Sequence, residues 1–220
     1  MITVEKLLAS SVHLGHSIKE KNPKMSPYIY GERKGIHIID LLQTLIQTRK
    51  VCKFLSNSTK KGKKVLFVGT KTQFASVIEN CAVKSNSFYV TQRWLGGMLT
   101  NWLTVKKCLE KLEKITNLEL EETSKQLTKK ENLILKKKKA KLEKYFSGIR
   151  KMTKLPDIVI IVGQKQELNA IKECLKLNIT LITILDTNCD PTLTNFIIPA
   201  NDDSLSSVSL ILNALNEHIK

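Results

Sequence analysis

Four stretches of this sequence gather residue types that could do chemistry, and their spacings separate binding from catalysis. RWLGGMLTNW (Arg93–Trp102) puts one arginine, two tryptophans and a Gly-Gly pair together with no acid, thiol or histidine among them. A site without a general base points to a surface that binds. DTNCDP (Asp186–Pro191) sets two carboxylates around Cys189 after a strand-length apolar run, where open α/β sheets place their ligands, so a cation or a nucleophile could sit there. Against that, Asp190 before Pro191 reads as a helix cap with proline at the first helical position, Cys189 has no neighbouring base, and Asp186 can serve backbone donors in the turn. Acid, base and orienter do not assemble, which favours a structural turn.

The other two stretches complete neither a metal site nor a phosphate loop. His13 and His16 in VHLGH are three apart and could share a helix face, but no further His or Cys pair completes a zinc site, so the expectation is no metal and a backbone or RNA contact at His16. In GKKVLFVGTKT, Gly62 and Gly69 are separated by a strand and do not meet GxxxxGK[ST]; Thr70 and Lys71 more simply end that strand and start a helix. No GxGxxG follows any strand. The sequence therefore predicts no cofactor, no small-molecule substrate and no enzyme activity.

The elements that must position these stretches follow from hydrophobic periodicity. KVLFVGT (Lys64–Thr70), SFYV (Ser87–Val90), DIVIIV (Asp157–Val162), TLITILD (Thr180–Asp186) and the shorter FIIPA (Phe196–Ala200) are strand-length and rich in β-branched or aromatic residues. Runs apolar on both faces indicate a parallel sheet of about five strands. Between them lie helix-period segments: Asp40 caps LLQTLIQTRKVCKFL, Gln164–Leu177 forms a crossover, and Asp202 or Asp203 caps SLSSVSLILNALNEHI. The prediction is a three-layer α/β fold.

One segment breaks the alternation. Apolar residues recur at Trp102, Val105, Leu109 and Leu112, a polar stretch intervenes, and Leu135, Leu142 and Ile149 resume with heptad spacing. That pattern predicts a helical hairpin over 102–152 inserted into one domain spanning 1–220. Thr104–Leu155 carries 16 Lys and Arg against 7 Asp and Glu. LKKKKAKLEKY reads equally as a solvated helix face or as phosphate contacts, so no single lysine there is assigned.

Two clusters carry the binding reading. In RWLGGMLTNW, Gly96 and Gly97 permit positive φ and close approach, Thr100 or Asn101 caps the helix through Trp102 and leaves amides for an anion, and Arg93 offers phosphate a planar fork. Trp94 can pack beneath it or stack on a base, although both tryptophans are expected mainly to pack. In HLGHSIKEKNPKMSPYIYGERKGIHIID, Lys19, Lys21, Lys24, Arg33 and Lys34 alternate with Asn22, Tyr28 and Tyr30 in a Pro- and Gly-marked extended segment suited to phosphate, sugar and base contacts.

Composition agrees. The chain has 220 residues, 42% of them hydrophobic, and a formal net charge of +16, which suits a folded domain that meets a polyanion such as nucleic acid or an acidic membrane surface. No apolar run reaches the roughly 18 residues of a membrane helix, and MITVEKLLAS resembles neither a secretory signal nor a transit sequence. Five scattered cysteines without a CxxC pair read as reduced, mostly buried thiols.

These residues resemble a known family. HLGH, NPKMSPYIYGERKGIHIIDL, FVGTK, QRWLGGMLTNW, LEKYFSGI, LPDIVIIV, DTNCDP and IPANDD match, in order and over nearly the whole chain, the universal small-subunit ribosomal protein two family. The resemblance implies a flavodoxin-like parallel sheet with a long coiled-coil hairpin insert, and a structural, translation-supporting role bound to small-subunit (16S-type) ribosomal RNA beside neighbouring ribosomal proteins, where head and body of the subunit meet. In bacterial relatives it also implies help in docking the large messenger-binding ribosomal protein one. With that resemblance the RNA-contact candidates are His16, Lys21, Asn22, Lys24, Tyr28, Arg33, Lys34, Arg93, Gly96, Gly97, Thr100 and Asn101.

MTKLPDIVIIV, LNAIKECLKLNIT and NWLTVKK are most similar to plastid members, and the absent transit sequence fits a plastid-encoded product of the chloroplast stroma. Lys- and Asn-rich usage fits any A+T-rich genome, so a bacterial cytoplasm or a mitochondrion is the alternative. Gly163 stands where the family commonly has an acid, and LNIT lacks the usual Gly-Ile-Pro turn. The competing function class is an α/β enzyme built on the DTNCDP turn.

Overall fold

The computed structural model describes residues 2–120 and 129–219. Its larger sheet contains β4 (Val65–Val68), β5 (Phe88–Val90), β6 (Ile158–Val162), β7 (Thr180–Leu185) and β8 (Phe196–Pro199), all parallel, in the order β5-β4-β6-β7-β8. Renumbered within the sheet this is 2-1-3-4-5, the flavodoxin-like order, with its reversal between β4 and β6.

Alternation along each strand makes the sheet a divider. Val65 and Phe67, with Ile158, Ile160 and Val162, face one apolar core with α2 (Leu41–Thr59), α3 (Ala75–Lys84) and α7 (Leu205–Asn216). Leu66 and Val68, with Val159 and Ile161, face the other with α4 (Trp102–Leu120) and α6 (Leu168–Lys176). Because both faces are covered, every residue of β4 and β6 is buried, as the unbroken apolar runs predict.

The helix between β5 and β6 has a partner: α4 and α5 (Lys129–Phe146) pack on each other. The expected polar break in the hairpin falls at 121–128, outside the described residues. Leu142 packs on the second core, and Ile149 is buried there from a 3₁₀ turn that follows α5 rather than from the helix itself.

Local signals mostly hold. Asp40 Oδ1 accepts the Leu42 N–H at 2.9 Å to start α2, and Asp190 Oδ1 accepts that of Thr192 at 2.9 Å to start a 3₁₀ turn at Pro191. The expected cap of the last helix is different: Ser204 occupies the position, and Asn201 Oδ1 accepts the Asp203 and Ser204 amides at 2.9 and 3.1 Å. Asp202 and Asp203 turn elsewhere because a cation, Lys71, lies within reach.

Where an extended segment is expected near the amino terminus, the chain builds a second sheet. After α1 (Val4–Ala9), β1 (Leu14–Ser17), β2 (Ile29–Arg33) and β3 (Ile36–Ile39) form an antiparallel sheet in the order β1-β3-β2. Lys34 and Gly35 turn the β2–β3 hairpin with φ of 51° and 79°, the left-handed conformation such tight turns need. His16 therefore lies on a strand and does not share a helix face with His13.

Candidate nucleic-acid interface

The antiparallel sheet closes the edge of the parallel sheet where strands end, the place such folds keep for ligands. The His16 N–H donates to Thr187 Oγ1 at 3.0 Å, and the Asn22 N–H donates to the Thr187 carbonyl at 3.0 Å. A Cβ on Gly15 would come within 2.6 Å of Thr187 Cγ2 and 3.1 Å of the His37 carbonyl, so glycine permits this contact.

Behind that contact, side chains of this same chain occupy the crevice. His16 Nδ1 lies 3.0 Å from Asp186 Oδ2, and its Nε2 lies 3.2 Å from Asp203 Oδ2. Lys71 Nζ lies 2.8 Å from Asp203 Oδ1 and 3.3 Å from Asp202 Oδ1. At the β4–β6 reversal, Glu167 Oε1 accepts the Thr70 N–H at 2.8 Å and its hydroxyl at 2.5 Å. The hydrogen bond and charge of Asp186 raise the His16 pKa above its ordinary value despite burial. Burial raises that of Asp202, whereas the Lys71 ammonium lowers that of Asp203. His16, Asp186 and Asp202 offer ligand atoms within 4.8 Å of one another, the spacing of a cation site, and Lys71 already supplies positive charge beside them.

The RWLGG loop is organised around an acid that its own sequence lacks. Glu173, on α6, accepts the Trp94 indole N–H at 3.0 Å, the amides of Gly97 at 2.8 Å, Leu99 at 2.9 Å and Thr100 at 3.0 Å, and the Thr100 hydroxyl at 3.2 Å. The loop amides ahead of α4 thus already hold an internal anion, the Glu173 carboxylate. Of the two glycines, Gly97 adopts positive φ at 87°, and Gly96 does not. A Cβ on Gly96 would meet nothing within 4 Å. Trp94 is 7% exposed and packs in the second core, while Trp102 is half-buried against it. Asn101 precedes α4 and accepts the Thr104 hydroxyl at 2.8 Å. Arg93 is exposed beside this braced loop.

The amino-terminal candidates divide in the same way. Lys21, Arg33 and Lys34 are exposed. Lys24 is tied to Asp190 at 2.8 Å, and its ammonium holds the Asp190 carboxyl down at about 2. Asn22 Oδ1 accepts the Lys24 N–H at 3.1 Å and caps a 3₁₀ turn, and Tyr28 packs against Met25, Leu185 and Cys189.

Nothing in this arrangement forms a nucleophile. Cys189 is 2% exposed, and burial pushes its thiol up to about 12. Asp186 Oδ1 accepts the Thr187 N–H at 2.5 Å, and Asp190 caps the next turn. All five cysteines are free thiols. No helix among the described residues is long and apolar enough to cross a membrane.

Sequence reasoning missed Glu173 and the pairing of Lys71 with Asp203. Glu173 reads as one more polar residue on a crossover helix, because its donors lie far away in sequence. The one signal available was negative: a loop rich in amides and poor in acids needs an acceptor from elsewhere.

A parallel α/β scaffold whose ligand crevice is lined by paired charges of its own, and whose exposed loops carry cations such as Arg93 with no carboxylate partner among the described residues, has the makings of a binding protein. The comparisons agree. The family model described as ribosomal protein S2 matches residues 7–220. The small ribosomal subunit protein uS2c of Euglena gracilis is 61% identical over 98% of this chain and 89% of its own length. That of Mesostigma viride is 50% identical over 99% of this chain and 96% of its own. The small ribosomal subunit protein uS2 of Synechococcus sp. (strain JA-3-3Ab) is 47% identical over 100% of this chain and 82% of its own. The chain belongs to the ribosomal protein S2 family, and its role in the ribosome is structural, not enzymatic.

Proposed function

We propose that the chain is a constituent of the small ribosomal subunit, held on ribosomal RNA by the basic loops of its amino-terminal sheet and of the RWLGG turn, next to other ribosomal proteins. The carrying observation is the division of labour inside one loop. Trp94, Gly97 and Thr100 turn inward onto Glu173, while the neighbouring Arg93 stays exposed with no carboxylate partner among the described residues. A guanidinium on a rigid support can chelate phosphate oxygens at little further entropic cost.

In this reading Lys21, Arg33, Lys34, Arg93 and Asn101 touch RNA through their side chains, and Gly96 lets a backbone approach. His16, Asn22, Lys24, Tyr28, Gly97 and Thr100 set the shape that RNA meets. The chain acts as one domain over 1–220, with the hairpin of 102–152 as its insert. Its similarity to uS2c proteins supports a plastid ribosome as its place of work. Sucrose-gradient fractionation of the organelle lysate tests the proposal: stoichiometric migration with the small subunit is expected, and a wholly free pool would reject it.

A further inference from the structure

We propose that the opposite edge of the parallel sheet, where its strands begin, is a second RNA-binding face, with a pocket that takes an unpaired nucleotide. This rests on the reading of the chain as a ribosomal-RNA binder and names a surface outside the two loops assigned above.

The argument starts from topology. Because β4 to β8 are all parallel, the segments that lead into them collect at one edge. KKGKK (Lys60–Lys64) leads into β4, and RKMTK (Arg150–Lys154) precedes β6. Together they bring seven cationic side chains and no carboxylate of their own, and Asp157 is the carboxylate that lines the cavity between them. That carboxylate is engaged, since its Oδ2 accepts the Lys64 N–H at 2.9 Å. At the other edge Asp186, Asp190, Asp202 and Asp203 are matched by His16, Lys24 and Lys71, whereas here the cations stand in excess. That surplus of positive charge attracts a polyanion to the edge where strands begin as well.

The edge also has a shape. A cavity of 670 Å³ opens there, lined by Lys64, Lys151 and Lys154 together with Asn86, Thr153, Phe88 and the engaged Asp157. The three lysines are exposed, and none has an ion-pair partner among the described residues. Asn86 and Gly62 hold φ at 48° and 74°, so both lining turns are fixed in left-handed conformations. Ammonium groups for phosphate, an amide and a hydroxyl for a base edge, and an aromatic residue in the lining are the combination that recognises single-stranded nucleotides. A bare inorganic anion would need no ring, and an acidic protein surface would need no cavity of nucleotide size.

The test uses the full chain and a transcript of the small-subunit ribosomal RNA, with affinity measured across a salt series. The pocket variant carries Lys64→Gln, Lys151→Gln and Lys154→Gln. A control of equal charge loss carries Lys50→Gln, Lys53→Gln and Lys172→Gln on the helical flanks. Unchanged circular dichroism and melting temperature establish that both variants fold. The pocket variant is expected to bind about tenfold more weakly, with the slope of log K against log salt shallower by about 2, as for three lost contacts to a single strand. The control should shift the slope by less than half as much. Equal effects in both variants, or a wild-type slope in the pocket variant, would overturn the second face while leaving the two assigned loops standing. Absence of salt-dependent binding by the wild-type chain would instead overturn the RNA-binding reading as a whole.

Discussion

Glu173 and Gly97 stand 76 positions apart in the chain, yet Glu173 Oε1 accepts the Gly97 N–H at 2.8 Å. That bond, with those from Leu99, Thr100 and the Trp94 indole, fixes the loop that presents Arg93. Removing an acceptor that serves several donors leaves those donors unsatisfied, which costs more than a single hydrogen bond contributes. Glu173→Ala should therefore lower stability by roughly 2–4 kcal/mol, and Glu173→Gln should lower it less. Urea titration of both variants checks the order. Wild-type stability in both would deny the loop its brace.

Acid should loosen the same contact. Burial pushes the Glu173 carboxyl up, but the donors from Thr100, Trp94, Leu99 and Gly97 outweigh it and hold the pKa below its ordinary value of 4.5. A depressed carboxyl stabilises the fold above its unfolded pKa, and that contribution fades as pH falls through the folded one. The stability difference between wild type and Glu173→Gln should therefore shrink below pH 4.5. A difference independent of pH would contradict this.

His16 should show the opposite sign. Its pKa is raised above 6.5 by the hydrogen bond and charge of Asp186, with Asp203 and Asp202 adding to it against burial. A raised histidine contributes its full stabilisation below the unfolded pKa and loses it as pH rises through the folded pKa. His16→Gln should thus cost most below pH 6.5 and progressively less as pH rises above it. Melting curves over a pH series from 6 upward check this, and a cost that grew with pH would refute the pairing.

Arg93 and Trp94 are neighbours in sequence with opposite burial, so their variants should separate binding from folding. Arg93→Ala should leave the melting temperature unchanged and reduce incorporation into small subunits, measured by quantitative mass spectrometry. Trp94→Ala should lower stability by roughly 3–5 kcal/mol through the cavity it opens. Trp102→Ala, at a half-buried site, should cost less than Trp94→Ala.

Gly15 tests how the two sheets meet. A methyl group there collides with Thr187 and crowds the His37 carbonyl, which is backbone and cannot swing away. Gly15→Ala should cost about 1–3 kcal/mol and raise amide exchange over β1. Unaltered exchange at Leu14–Ser17 would show that the small sheet stands independently of Thr187.

What the sequence determined by itself was local or periodic. The apolar runs from Val65 and Ile158 could satisfy no exposed strand, so they required a buried parallel sheet, and heptad spacing required a hairpin after Trp102. Asp40 and Asp190 announced their caps because a capping side chain reaches amides two residues on. Ionic and multi-donor contacts obey no such period. Whether Asp203 would cap a helix or meet Lys71, and whether the Gly97, Leu99 and Thr100 amides would close on Glu173, depended on which charges the fold brought within about 3 Å. The small antiparallel sheet was likewise hidden, since LGHS and IYGER mix glycine and polar residues without an apolar run, and its seat depends on the contact that His16 makes with Thr187, distant in sequence.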